Sequence, residues 1–442
     1  MNNNTVAGLT NDLWVNTRFL FERPQHGMSP KKILEARIPL KQLAPAVILV
    51  ANSMIWFAIT NTVLTMLVAD LKLPTFQTLI LDGLYYAGIA LSAFIGAMFF
   101  THQRKNRLLL WIIFGVLTTA SLMTFQRNQI GTNAFLSLLL GMSMGMGLPS
   151  SLAYFADATA VGNRGTYGGL IWLPVGFGAL ALGFAVYSLY SLNVFWALSI
   201  LAIWRALGGA LFFLSSKLKG KQDLEAKKSS YGKILRRRDL ILYLVPWIMF
   251  SLVNFSESPI LARAPILGNM PENFQLIAGS IEFAISGVSA VIGGVLSDLV
   301  GRKRIVITGF IILGIEYAIL SLFSRAQASW YVYTLCDGIA WGLFASVFFM
   351  TIWGDLAETA QKEKYYVIGG LPYLLAGFMA VVVEPFAEGI QAETAFSLAS
   401  FFLFVAVLPL MYAPETLPEK KIKDRELRDY LEKAKRAKDK YA

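Results

Sequence analysis

One repeated element leaves few folds open to this sequence: twelve long, almost uncharged apolar runs. They lie near 43–68, 76–100, 108–126, 133–156, 167–190, 193–214, 240–262, 274–297, 304–323, 330–354, 366–383 and 394–412. A helix that crosses a bilayer needs about 20 mostly apolar residues, and each run is of about that length. The fifth and sixth are divided only by Ser191-Leu192-Asn193. The expected fold is an all-α polytopic membrane protein with twelve transmembrane helices. Composition agrees, because only 15% of the 442 residues are charged and 56% are hydrophobic, whereas a soluble chain carries about 25% charged residues. The net charge of +11 does not point to nucleic acid, since the basic residues sit in short tracts between apolar runs.

Those tracts orient the chain. Of the 39 Lys and Arg, 34 fall on one side of the alternating runs. The other side carries only Lys72, Arg127, Arg263 and Arg325, and Arg205 lies within a run. By the positive-inside rule the basic side, with both termini, is cytoplasmic. The first forty residues hold no apolar signal region, so a multi-pass plasma-membrane protein with an intact N-terminus is expected. Its organisation reads as a cytoplasmic segment 1–42, a six-helix bundle 43–214, a basic linker 215–239, a second bundle 240–412 and a basic tail 413–442. Within the first segment, residues 11–24 mix Trp14, Phe19 and Phe21 with Arg18 and Arg23, a pattern suited to lying on the inner leaflet. The linker and tail are suited to anionic lipid.

A single cysteine, Cys336, and two histidines, His26 and His102, leave no disulfide framework, no expected metal site and no Ser-His-Asp triad. Neither a cofactor nor an enzyme activity is expected. The run Gly141-Met-Ser-Met-Gly145-Met-Gly147 lies inside an apolar stretch with no preceding strand. It is read as a helix-packing surface rather than a nucleotide loop.

The chain repeats itself. An offset of 198 residues places Gly96 on Gly294, Arg104-Lys105 on Arg302-Lys303, Asp157 on Asp355, Tyr167 on Tyr365 and Leu173-Pro174 on Leu371-Pro372. Two parallel six-helix halves fit that pattern. Between the eighth and ninth runs stands Gly294-Val-Leu-Ser-Asp298-Leu-Val-Gly301-Arg302-Lys303-Arg304. Its glycine permits close helix approach, and its acid and bases can form charge-assisted bonds that hold one state of a gate. This loop resembles the signature loop of the major facilitator superfamily. In the first copy only Gly96 and Arg104-Lys105 survive, with Phe100 in place of the acid and Gln103 in place of the second glycine.

Two further elements resemble that superfamily's sugar and organic-ion branches. Asp157 precedes Arg164, and Asp355 precedes Lys362, by seven residues each. Each acid either pairs with the basic loop or stands as a solvated carboxylate at a helix end. If paired, Asp298, Arg302 and Asp355 form an inner latch. Pro414-Glu415-Thr416 follows the twelfth run like the tag of the same branches. The Pro-Glu-Ser-Pro-type tag after the sixth run and the Gln-Gln element in the seventh are missing, so the resemblance names no substrate.

The resemblance implies two pseudo-symmetric bundles, with spans one, four, seven and ten lining a central cavity. Charged groups inside a bilayer are costly and default to functional sites. Those in the runs are Asp82, Arg205, Glu257, Glu282, Glu316 and Asp337. On the implied architecture Glu257 and Asp337 are the first cavity carboxylates. Asn52, Asn61, Asn254, Tyr154 and Trp341 supply hydrogen bonds and aromatic surface, and Asp82 and Glu282 come second. Arg205 and Glu316 fall on support helices, as structural or snorkelling groups. A carboxyl group surrounded by hydrocarbon takes up a proton more readily than one in water, which makes Glu257 and Asp337 candidate proton carriers. The expected function is proton-coupled symport of a small organic solute (a sugar, organic ion or metabolite) by alternating access, by a monomer. Efflux antiport on the same fold and a non-transporting sensor or scaffold are the alternatives.

Overall fold

The computed structural model describes residues 40–99, 104–216, 230–264, 270, 274–357 and 361–418. The interfacial segment expected at 11–24, residues 217–229 of the linker, the tail beyond residue 418, and Phe100 and Gln103 lie outside the described residues.

Among the described residues, twelve helices are long and apolar enough to cross a membrane, in the order expected. They are α1 (Leu43–Asp70), α2 (Thr75–Met98), α3 (Arg104–Thr124), α4 (Ile130–Ala158), α5 (Val161–Leu192), α6 (Val194–Ser215), α7 (Arg238–Ala262), α8 (Ile277–Val300), α9 (Arg302–Phe323), α10 (Gln327–Leu356), α11 (Lys362–Gly389) and α12 (Ala392–Tyr412). In hydrocarbon each spanning segment must satisfy its own backbone groups, which is why an apolar run of this length winds into a helix. The close division between α5 and α6 falls at Asn193, whose side chain caps α6 by accepting from Phe195 N at 2.8 Å.

Burial sorts the helices. The most apolar windows of α1, α4 and α10 are 72, 72 and 78% buried, whereas that of α7 is only 33% buried. The resemblance groups α7 with the other three. It differs because Ile241, Val245 and Leu252 form an exposed stripe at helical spacing. Leu91, Ile95, Leu110, Phe184 and Leu211 add to an apolar outer surface that suits lipid and would drive aggregation in water. The glycine run packs α4 on α2: a Cβ at Gly141 would stand 1.9 Å from the carbonyl oxygen of Tyr85, and one at Gly145 2.2 Å from that of Ile89.

The two halves meet along two seams. On the α5/α8 seam, backbones touch: a Cβ on Gly165 would lie 2.7 Å from the Gly294 carbonyl, and one on Gly169 2.1 Å from that of Ala290. The α2/α11 seam is made by side chains instead, with the Tyr86 and Phe378 rings 5.7 Å apart. It leaves a small gap lined by Ala93, Leu148, Pro149, Tyr366 and Leu371.

Both helices that carry the paired acids lose regular geometry at the same register. The helical run Ile130–Gly145 in α4 stops there and resumes at Leu148 with Pro149 in its first turn. In α10, Ala345–Ile352 is a fully buried π-helical stretch, and Ala345 is Gly147 moved by the repeat offset. The widened turn frees the Met350 carbonyl to accept from the Tyr366 hydroxyl at 2.7 Å. Such stretches often sit at functional sites because they re-aim the side chains of the next helical turns. In α4 and α10 those next turns carry Asp157 and Asp355.

Candidate functional site

All the residues of the expected gate converge at one end of the bundle. Arg302 donates through Nη1 to Asp298 Oδ1 at 2.6 Å and to the Ser297 carbonyl at 2.8 Å. Its Nη2 donates to the Val161 carbonyl at 2.6 Å, and its Nε to Asp355 Oδ2 at 3.3 Å. Asp355 also accepts from Arg164, whose other donors reach the Ala156 carbonyl at 2.9 Å and Thr159 Oγ1 at 3.3 Å. Asp298 in turn crosses to the other half, accepting from Gly165 N at 3.1 Å and from Thr166 N and Oγ1 at 2.7 Å each. The side chains of Arg302 and Asp355 are wholly buried. Losing one partner of charges this dry would strand the other, and here each is paired and hydrogen-bonded.

A second set stands beside the first. Arg104 donates to Asp157 at 2.7 Å and pairs with Glu363. Lys362 donates through Nζ to Asp157 at 2.6 Å and to the Ala156 carbonyl at 3.1 Å. Neither acid of the acidic-x6-basic elements is a free solvated carboxylate. Glu363 carries no signal of its own in the sequence: the repeat offset sets it opposite Gly165, and only its pairing with Arg104 brings it to the loop that lacks an acid.

The tag after α12 belongs to the same end. Gly301 turns at φ +105°, a conformation that side chains strain to adopt. Glu415 then caps α9, accepting from Arg302 N at 2.8 Å and Lys303 N at 3.2 Å. Lys303 Nζ reaches the Ala413 carbonyl at 3.0 Å, and the Tyr243 hydroxyl holds that of Pro414 at 2.7 Å. The end of the linker docks here too. Arg237 pairs with Asp239 at 2.5 Å, a bond that raises its guanidinium above the ordinary range. Burial pushes the Tyr231 phenol up to about 12, with its ring edge-on to Phe94 at 5.1 Å.

Deeper in the second half, three acids meet. Asp337 on α10, Glu282 on α8 and Glu316 on α9 stand close enough to act on one another, while neither Glu316 oxygen has a hydrogen-bond partner among the described residues. The buried Tyr317 ring lies among Asp337, Glu316 and Glu257. Glu257 is buried, with one oxygen unpaired among the described residues. Like charges in a low dielectric repel strongly, so three buried carboxyl groups this close are costly to hold charged together. Aromatic rings face this cluster: Tyr373 feels Glu282 and Asp337 and packs on Trp341, Phe255 and Phe349 at 5.4, 5.2 and 4.9 Å. From the first half Trp172 meets Phe349 at 5.8 Å. Tyr86 lies within the influence of both Asp82 and Tyr373.

Several expected positions change. Glu316 does not snorkel: it is 1% exposed and completes the carboxylate cluster. Arg205 is also wholly buried, over the rings of Trp56 and Trp111 at 4.4 and 4.3 Å. Asn52 does not face a cavity, because its amide donates to the Trp204 carbonyl at 2.8 Å and accepts from Arg205 at 3.1 Å. Tyr154 sits edge-on to Phe212 at 5.8 Å, near Arg104 at the latch end and away from the carboxylates. Trp341 lies in the aromatic wall, while Asn61, Asn254 and Asp82 are half-buried.

Twelve spans in two bundles, joined by a charged latch around a buried acidic and aromatic centre, define a membrane carrier. The sequence model of the Major Facilitator Superfamily matches residues 46–371, and the chain belongs to that family of membrane transporters. No curated protein sequence matches the chain. Among solved structures it is similar to a variant of the E. coli fucose:proton symporter FucP, with a TM-score of 0.66 at 12% identity, covering 85% of this chain and 99% of that one. It is also similar to the proton:xylose symporter XylE bound to 6-bromo-6-deoxy-D-glucose, with a TM-score of 0.62 at 15% identity, covering 86% and 96%.

Proposed function

We propose that this chain is a proton-coupled symporter of a small organic solute in the plasma membrane, working by alternating access with the latch and both termini on the cytoplasmic side. The observation that carries the proposal is the cluster of Glu282, Glu316 and Asp337. Three buried carboxyl groups close together beside an aromatic wall are a proton store that can fill and empty as the halves rock. Glu257 stands at the edge of the cluster and is the group through which protons exchange with it. The solute sits between Tyr86 and Trp172 of one half and Trp341, Phe349 and Tyr373 of the other. Flat aromatic faces suit the apolar face of a sugar ring, and the sugar:proton symporters of similar fold favour that substrate class. The complete latch favours a moving carrier over a static scaffold.

A thermal-shift screen of purified protein across sugars, organic anions, organic cations and amino acids identifies the solute, since a ligand stabilises the state it binds. In proteoliposomes, an inward proton gradient then drives accumulation of that solute. Asp337→Asn and Glu257→Gln abolish gradient-driven accumulation and leave solute counterflow intact. Accumulation and its pH dependence unchanged in both variants would sink the coupling assignment.

A further inference from the structure

The two latches solve one problem with the carboxylate in different places. In the second copy Arg302 bonds Asp298, four residues earlier in its own loop, at 2.6 Å. In the first copy that position is Phe100, so Arg104 has no acid in its own loop. Its second partner is Glu363, the first-turn residue of α11, with a side chain 6% exposed. Moved back by the repeat offset, Glu363 falls on Gly165. Gly165 is the residue whose N–H meets Asp298 across the α5/α8 seam. Both latches therefore reach the same first-turn position of a helix in the opposite half, from Asp298 in one and from Arg104, the counterpart of Arg302, in the other. In one the acid is on the loop, and in the other it is on the helix.

We propose that Glu363 is the gating carboxylate of the first half, supplied by the opposite half in place of the missing loop acid. The consequence is mechanical. Arg302 and Asp298 travel together in one half, so parting the halves leaves that pair whole while it breaks the bonds of Asp298 to Gly165 and Thr166, that of Arg302 to the Val161 carbonyl and the Arg164–Asp355 pair. Arg104 and Glu363 belong to different halves, so the ion pair itself must break when the latch end opens. Asp157 remains with Arg104 but cannot follow Glu363. This makes opening along the α2/α11 seam sensitive to charge and to salt, with charge-assisted bonds as the resistance. The inference rests on the alternating-access reading only in requiring that the halves separate.

The test reads opening without solute or proton gradient, so it can fail or succeed independently of symport. Cys336 is replaced by Ser, and Ala93→Cys places a thiol in the gap beside the seam. The rate of its modification by a charged thiol reagent is followed in purified protein. Glu363→Gln is expected to raise that rate about tenfold, the scale of one lost charge-assisted contact, while Glu363→Asp stays near the parent. The double exchange Arg104→Glu with Glu363→Arg returns the rate toward the parent, which a merely structural role would not do. In the parent, raising salt from low to about 1 M, where screening acts within a few ångströms, also speeds modification. This arm needs no substitution at the latch and holds even if a variant misfolds. Equal rates for Glu363→Gln and parent, no salt effect, or a double exchange as fast as either single change overturns the proposal.

Discussion

The two latches occupy one register of a duplicated fold, yet water reaches them very differently. Around Asp355 the side chains are dry: Arg302 and Asp355 are fully buried and Arg164 is 2% exposed. Around Asp157 that acid is 41% exposed and Arg104 25%. The dry latch is a network in which one carboxylate serves two guanidiniums whose remaining donors find backbone carbonyls, the Thr159 hydroxyl and Asp298. The wet latch is a set of pairs centred on Asp157 and Arg104, which water and salt can reach, with Glu363 and Lys362 more covered behind them. The difference teaches that an ion pair's geometry says little about its worth until its burial is known. Removing one partner of a buried pair leaves a stranded charge, whereas an exposed one is re-solvated. The dry latch also lies on the glycine seam, where backbones touch, and the wet one on the looser aromatic seam.

That contrast can be broken by experiment, beginning with the largest effect. Asp355→Ala leaves Arg164 and Arg302 buried without their shared acceptor. It is expected to cost about 3–5 kcal/mol, seen as a large fall in the melting temperature of purified protein. If Asp157→Ala costs as much, burial is not what separates the latches. Asp298→Ala comes next at about 2–3 kcal/mol, because charge-assisted bonds from Arg302, Gly165 and Thr166 go together. Its melting temperature should fall with little dependence on salt. Gly301→Ala strains the turn and brings a Cβ to 2.4 Å from the Glu415 carboxylate. A loss of about 1–2 kcal/mol is expected, with Glu415→Ala adding less than its separate effect because both act on one cap. Asp157→Ala is the smallest, at about 0–1 kcal/mol, and a melting comparison at low and high salt should show it vanish as salt rises.

Much of this was legible beforehand, for particular reasons. The twelve spans follow from apolar length alone, and even the narrow boundary at Asn193 could be found because a polar residue interrupts two apolar runs. The latch members were visible because the repeat sets Asp157 over Asp355 and Arg104 over Arg302. Glu363 was not: a glutamate in a helix's first turn is ordinary, and only its contact with Arg104 gives it meaning. For Glu316 the snorkelling alternative fails, because position on a support helix says nothing about which face it presents. At Asn52 and Tyr154, helix membership was right and direction was not. The π-helical stretch of α10 left no mark in its composition.

By itself the sequence determined the number of spans, their pairing into two related halves, the basic side and the residues able to form a latch. These depend on local apolar length, on charge counts and on register, all of which are properties of the chain read in order. Only the tertiary structure decided which charges are dry, that Glu282, Glu316 and Asp337 lie together, and that Arg104 finds a second acid in the opposite half. Burial and pairing depend on what a second helix brings to the same place, and in a bilayer, where an unpaired charge is so costly, that decides which residues matter.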